Sequence, residues 1–255
     1  MTERAIIVER NKKIQLIALD MDGTLLNSDH EISEGNQKAI QAAKELGVHI
    51  ILSTGRSLLT SKEYKEALKL DSYHITVNGS EIWNPAGDIM ERATLTHEDI
   101  EHLYGLMNTH STNYWAVTEH KVWRNEFPEQ SSDHSWLKFG FHFENEEVRD
   151  ALLEELNKRG GYEISNSHPL NLEVNKIGIN KANAIKKVCE KLGITMDEVM
   201  ACGDSLNDLA MIKEAGYGIA MGNAQDIVKE AADWVTSSNN EDGVAKAIEQ
   251  FVLSK

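Results

Sequence analysis

Cysteine is scarce. Cys189 and Cys202 are the only two in 255 residues, too few for a disulfide framework, or for a four-ligand zinc site without help from histidine. Long apolar runs are also missing: nothing approaches the roughly 18 uninterrupted apolar residues that span a bilayer. Positive charge is in deficit, with 26 Lys and Arg against 41 Asp and Glu and a net charge of −15. A surface that negative repels phosphate backbones and anionic headgroups, and no basic cluster reverses it, so neither nucleic acid nor membrane is expected as a partner. Around Met1–Lys13 the charges surround a short apolar stretch, Ala5–Val8, too short for the core of a signal peptide. A cytoplasmic protein, monomeric or weakly homo-oligomeric, is expected.

What is present is alternation. Ile14–Leu19 is a near-continuous apolar run, as in a strand covered on both faces. Ser33 can cap a helix running to Leu46, with Gly47 closing it. Val48–Leu52 reads as strand, Leu58–Leu70 as helix and His74–Val77 as strand. Short connections between such elements predict a parallel, doubly wound α/β sheet. After Asn78-Gly79 the texture changes. Pro85 and Gly87 mark a turn within a hairpin, Thr96 with Asp99 resembles a capping box, and short strand-like runs mix with an amphipathic helix at Glu146–Lys158. Four of the five tryptophans lie between Trp83 and Trp136, which suggests a small separate core. The alternating pattern resumes with a helix at Lys181–Leu192 and a strand at Val199–Cys202. The expected organisation is a core domain of residues 1–87 and 178–255, interrupted by an inserted α+β domain at 88–177.

Four segments carry chemistry. Asp20-Met21-Asp22-Gly23-Thr24 follows a buried strand, and the carboxyl ends of strands are where an open parallel sheet binds ligands. Read plainly, Asp-Gly could also be a hairpin turn. Gly203-Asp204-Ser205-Leu206-Asn207-Asp208 follows another buried strand, although Asp204 alone could merely cap a helix. Oxygen ligands of this kind suit Mg²⁺. Ser53-Thr54-Gly55-Arg56 ends a third strand, where a hydroxyl and backbone N–H groups can cradle an anion. Lys181 opens a helix; in isolation it would be read as an ordinary surface lysine.

Taken in order, Asp20-x-Asp22-Gly23-Thr24, Thr54-Gly55-Arg56, Lys181 and Gly203-Asp204-x-x-Asn207-Asp208 resemble the four motifs of haloacid dehalogenase superfamily phosphatases, most closely the Cof-type group. Asn78-Gly79, Gly222-Asn223-Ala224 and Glu241-Asp242-Gly243 are similar to that group's pattern too. Ala182 departs from it, where a glycine is usual. The resemblance implies a Rossmann-like core with an inserted α/β (C2-type) cap domain. It implies Asp20 as the nucleophile that forms an aspartyl-phosphate, and Asp22 as the acid and base. Mg²⁺ would be held by Asp20, Asp204 and the backbone carbonyl of Asp22, with Asp208 orienting water at the ion. Thr54, Gly55, Lys181 and Asn207 would bind the phosphate. Only one helix and one strand fit between Thr24 and Thr54, so the insertion belongs after Thr54, as in phosphatases of sugar phosphates and of phosphorylated cofactors such as FMN or pyridoxal phosphate.

The expected function is therefore Mg²⁺-dependent hydrolysis of a small phosphorylated metabolite. A non-catalytic phosphometabolite-binding protein and a phosphoryl-transferring mutase are the alternatives. Asp20, Asp22 and Glu31 fall at calcium-loop positions, but Leu25 stands where that loop requires glycine. Trp115, Trp123 and Trp136 are read as core of the insert, or as a platform for a planar substrate if exposed. Arg56 is open between structural ion pair and substrate contact.

Overall fold

The computed structural model describes residues 13–254; the stretch read as lacking a signal peptide lies almost wholly outside the described residues. The first apolar run forms β1 (Leu16–Leu19), all four residues buried. Its period-two alternation serves two cores. Ile17 and Leu19 face one cluster and Leu16 and Ala18 the other, so every residue of the strand has to be apolar. Helix α1 (Glu34–Glu45) starts at Ser33, whose side chain accepts from the Asn36 N–H, and is followed by Gly47 at φ 80°. Strands β2 (His49–Ser53) and β3 (His74–Thr76), joined by α2 (Leu58–Ala67), extend the sheet.

Two further strands, β4 (Glu81–Trp83) and β5 (Ile89–Arg92), form the antiparallel hairpin expected around Pro85 and Gly87. This hairpin pairs with β3, so Ile89–Arg92 lies on the edge of the large sheet. The sequence reading starts the insertion at residue 88; strand pairing carries the chain along the large sheet as far as Arg92. Ile-Met-Glu-Arg, two apolar residues followed by two charged ones, gives only a weak strand signal because an edge strand buries little.

The intervening chain builds a second sheet. It comprises α3 (His97–His110), β6 (Asn113–Thr118), β7 (Val122–Arg124), β8 (Trp136–His142), α4 (Glu146–Arg159), β9 (Tyr162–Ser165) and β10 (Asn171–Lys176). The capping box at Thr96 and Asp99 is present at the start of α3. The five strands run in the order β7-β6-β8-β10-β9, all antiparallel. One face packs on α3 and α4 through Leu103, Leu106, Leu152, Leu156, Phe139 and Phe141. Each such fully buried side chain contributes about 1.5–3 kcal/mol by leaving water.

The chain then returns through α5 (Lys181–Leu192), β11 (Val199–Gly203), α6 (Leu209–Glu214), β12 (Tyr217–Ala220), α7 (Asp226–Ala231), β13 (Trp234–Val235) and α8 (Gly243–Ile248). The large sheet has eight strands in the order β13-β12-β11-β1-β2-β3-β4-β5, parallel from β13 to β3. Chain order reverses between β1 and β11. That is the switch point at which an open α/β sheet leaves a crevice at its carboxyl edge, and Asp20 and Asp204 follow the two strands that flank it. Among the described residues no helix is long and apolar enough to cross a membrane.

Candidate active site

Asp20 is held at the end of β1 by its N–H, which donates to the Cys202 carbonyl of β11 at 3.0 Å. The chain must then turn sharply, and Gly23 takes φ 80° there. A Cβ on Gly23 would sit 2.5 Å from an Asp204 carboxylate oxygen, and one on Gly203 would sit 2.4 Å from the Asp208 Cβ. Both glycines are therefore required for the acidic side chains to approach one another.

Asp20, Asp204 and Asp208 each bring a carboxylate oxygen into one group whose atoms lie within 4.8 Å. Lys181, fully buried at the start of α5, donates to Asp20 Oδ1 and Asp208 Oδ1, each at 2.6 Å. The other Asp208 oxygen accepts the backbone N–H groups of Asp204 and Ser205. Asp204 accepts from the hydroxyls of Thr24 and Ser205. Three carboxylates share one ammonium, and the electrostatics show the imbalance. Burial pushes the Asp20 carboxyl well above its ordinary range, with Asp208 adding and Lys181 opposing. Burial and then Asp208 push Asp204 up to about 7. Burial acts downward on Lys181, but Asp20 and Asp208 outweigh it and raise its pKa overall. A buried, oxygen-only donor set with excess negative charge fits a hard divalent cation such as Mg²⁺.

This imbalance predicts a pH effect. In the unfolded chain both carboxyls return to near 3.8. Between that value and about 7 the folded state holds more protons than the unfolded one, so stability without the ion falls as pH rises through this window. In EDTA, the melting temperature is expected to rise as pH is lowered from about 8 to about 6, less so in Asp204→Asn and less so with Mg²⁺ added. Identical pH slopes in all three samples would contradict the assignment.

Beside the cluster, the loop after β2 is closely tied. The Thr54 hydroxyl accepts the Arg56 N–H at 3.1 Å, while the Asn78 and Val77 N–H groups donate to the Thr54 and Arg56 carbonyls. Val77, Asn78 and Gly79 all have positive φ, at 51°, 59° and 101°. For a β-branched valine that is strained, at about 1–3 kcal/mol, and surrounding bonds must hold it. Asn207 donates to Asn78 Oδ1 at 3.3 Å. Its own Oδ1 is buried without a partner among the described residues, a demand that water or ligand would satisfy. The Asp22 side chain lines the same cleft but stands outside the carboxylate group. Arg56 clamps it with two bonds, Nε to Oδ2 at 2.7 Å and Nη2 to Oδ1 at 2.6 Å.

The second sheet closes the site from above. Alternation along its strands turns Trp115 and Val117, Val122 and Arg124, Lys138, and Glu173 away from the helices and into a cleft of about 500 Å³ that also contains Asp20, Asp22, Gly55, Arg56 and Asn207. Lys138 and Glu173 form a buried ion pair at 3.0 Å. Lys138 also donates to the Gly55 carbonyl at 2.9 Å, and Asn78 to Glu173 at 2.6 Å, so the pair ties the second sheet to the Thr54-Gly55 loop. Burial alone would raise the Glu173 carboxyl; Lys138, Asn78 and Ser167 outweigh it and hold it below its ordinary value.

The family model for haloacid dehalogenase-like hydrolases matches residues 17–150 and 127–248. The chain belongs to that family. It is 59% identical over 240 residues to the 5-amino-6-(5-phospho-D-ribitylamino)uracil phosphatase YcsE of Bacillus subtilis, covering 94% of this chain and 96% of the relative. It is 31% identical to a second phosphatase of that name and organism, YitU, over 94% of this chain and 98% of the relative. A solved haloacid dehalogenase-like hydrolase from B. subtilis shares the fold with a TM-score of 0.86 at 24% identity, over 94% of this chain and 100% of that one.

As a haloacid dehalogenase-like phosphatase of the Cof type, the protein is an enzyme acting on phosphate esters. Its four sequence motifs meet at one place, but not in equal positions. Asp20, Asp22, Gly55 and Asn207 line the cleft, whereas Thr54, Lys181 and Asp208 are completely buried behind it. The carboxylate group comprises Asp20, Asp204 and Asp208; Asp22, expected in the metal set through its backbone carbonyl, keeps its side chain on Arg56. Arg56, open at the level of sequence, is an ion-pair partner. Lys138, Glu173 and Arg124 were not singled out from the sequence. Their signal was a charged residue at alternate positions of otherwise apolar strands, as in Trp-Leu-Lys-Phe and Asn-Leu-Glu-Val.

Proposed function

We propose that this enzyme is a Mg²⁺-dependent phosphatase of 5-amino-6-(5-phospho-D-ribitylamino)uracil, acting in the cytoplasm with residues from about 93 to 177 as a cap over the core. The observation that carries the chemistry is the group of three carboxylates and one buried lysine, drawn from distant parts of the chain, which meets the cleft at Asp20. The substrate rests on the 59% identity with a phosphatase of that compound. An aromatic and aliphatic cleft wall beside charged groups suits a planar ring on a polyol phosphate.

Lys181 holds one oxygen of Asp20, fixing the rotamer from which this nucleophile attacks phosphorus in line. The ester P–O bond breaks as the Asp20–phosphorus bond forms, splitting one difficult displacement into two easier ones. Asp22 gives its proton to the departing alcohol, then takes one from the water that cleaves the aspartyl-phosphate and releases inorganic phosphate. To do so it exchanges its Arg56 contact for the ester oxygen. Gly55 N–H and Asn207 face the transferring oxygens, where negative charge is spread, and Thr54 behind them holds the loop by accepting the Arg56 N–H. The carboxylates of Asp20 and Asp204 would hold Mg²⁺, which when bound supplies positive charge at the phosphoryl group.

Purified protein is expected to release phosphate from this substrate in Mg²⁺, to stop in EDTA and to recover when Mg²⁺ is returned. It should prefer the compound about tenfold or more over sugar phosphates, FMN and pyridoxal phosphate, the scale set by a modest pocket contact. Better turnover of another ester would overturn the substrate; turnover in EDTA would overturn the metal. Isomerised product without free phosphate would indicate a mutase.

A further inference from the structure

Of the three tryptophans grouped at the level of sequence, Trp136 is buried and Trp123 packs in the core of the second sheet. Trp115 does neither. It is half-buried on the opposite face and lines the cleft with Asp20. On β8 its cross-strand neighbour is Gly140. A Cβ there would lie 2.2 Å from Trp115 Cε2, 2.3 Å from Cζ2 and 2.6 Å from Cδ2. No left-handed backbone accounts for this glycine, and glycine in a strand interior weakens the strand. Its reason is space: it lets the indole lie down on the sheet. On the other side Trp115 pairs with Arg124 of β7, an exposed guanidinium with no hydrogen bond or ion pair among the described residues. Val117 and Val122 complete an apolar floor next to the ring.

We propose that Trp115, laid over Gly140 and flanked by Arg124, is the platform on which the enzyme stacks a planar heterocycle carried by the leaving group. A flat, half-exposed indole offers a π face to any such ring. Arg124 offers a planar cation that can stack or donate to ring carbonyls, and being otherwise unpaired it loses no partner in doing so. Discrimination between a ring-bearing phosphate and the bare polyol phosphate then resides in the second sheet, while the core performs the same displacement on both. This deepens the proposed function and rests on its choice of an aminouracil substrate.

The test compares kcat/KM for 5-amino-6-(5-phospho-D-ribitylamino)uracil and for D-ribitol 5-phosphate, which share the ribityl phosphate and differ in the ring with its linking amine, replaced by a hydroxyl in the second. The wild type is expected to favour the first by about 10–100-fold, the range of one ring stacked on an aromatic side chain. Trp115→Ala should collapse that ratio to within about threefold of unity, mainly through KM, leaving little stacking. Trp115→Phe should keep most of it. Gly140→Ala, which must lift the indole, should move in the same direction as Trp115→Ala, with folding followed by melting temperature. An unchanged ratio in Trp115→Ala overturns the platform alone, because the wild-type preference would stand without it. A wild type that turns over D-ribitol 5-phosphate as well as the ring-bearing ester overturns the aminouracil substrate and the platform together, leaving the phosphatase intact.

Discussion

Asp20→Asn is expected to lower turnover of every phosphate ester by about 10,000-fold or more, on the scale of deleting a covalent nucleophile. The amide is too weakly nucleophilic to attack phosphorus, and no other carboxylate is placed to substitute. Asp208 is fully buried, with both oxygens engaged by Lys181 and two backbone N–H groups. Asp22 is assigned to the leaving oxygen, and Asp204 accepts from the Thr24 and Ser205 hydroxyls. The fold should persist, because the substitution removes a charge that burial and two neighbouring carboxylates already disfavour. Phosphate release under saturating substrate, read beside a thermal melt, checks both halves. Residual activity above about one per cent in a folded variant would rule out the aspartyl-phosphate route.

Lys181→Ala should have the largest effect on stability. Lys181 is the only cation in contact with Asp20 and Asp208 among the described residues, and all three side chains are nearly inaccessible. Removing one member of a buried ion pair costs about 3–5 kcal/mol, since the charges left behind have neither water nor a partner. For a chain of this size that corresponds to a fall in melting temperature of about 6–20 °C. Mg²⁺ should recover more stability in the variant than it adds to the wild type, because it binds the folded state whose charge is now less balanced. Activity should fall as well, with the Asp20 rotamer no longer held. A melting temperature within about 2 °C of wild type in EDTA would show that the ammonium does not offset the carboxylates.

Much of this was legible in the sequence because it is local. The apolar run of β1 is what a strand covered on both sides requires. Ser33 with Gly47, and Thr96 with Asp99, mark helix ends through side chain to backbone bonds a few residues long. The four motifs resemble one family's pattern because each fits the turn at one strand or helix end. Other features had no local signature. Pro85 and Gly87 announce a hairpin turn, but only pairing of Ile89–Arg92 with β4, and of β4 with β3, makes that hairpin the edge of the large sheet. Lys138 and Glu173 sit 35 residues apart, and each alone is an ordinary charged residue within a strand. Whether Trp115 faced the core or the cleft depended on strand register, and one residue's shift reverses every side chain.

Residue chemistry and short-range spacing by themselves pointed to a parallel α/β protein with an inserted unit, and the resemblance of its four motifs to one family singled out the carboxylates, lysine and strand-end loop proposed as its reaction centre. Tertiary structure decided the rest: that chain order reverses between β1 and β11, that Asp22 rests on Arg56, and that the second sheet places Lys138, Glu173, Trp115 and Arg124 over the site. The reason is physical. Hydrogen bonds and caps act over a few residues and leave a periodic trace in the chain, whereas strand order, charge pairing across a cleft and the choice of sheet face are settled only when distant segments bury one another.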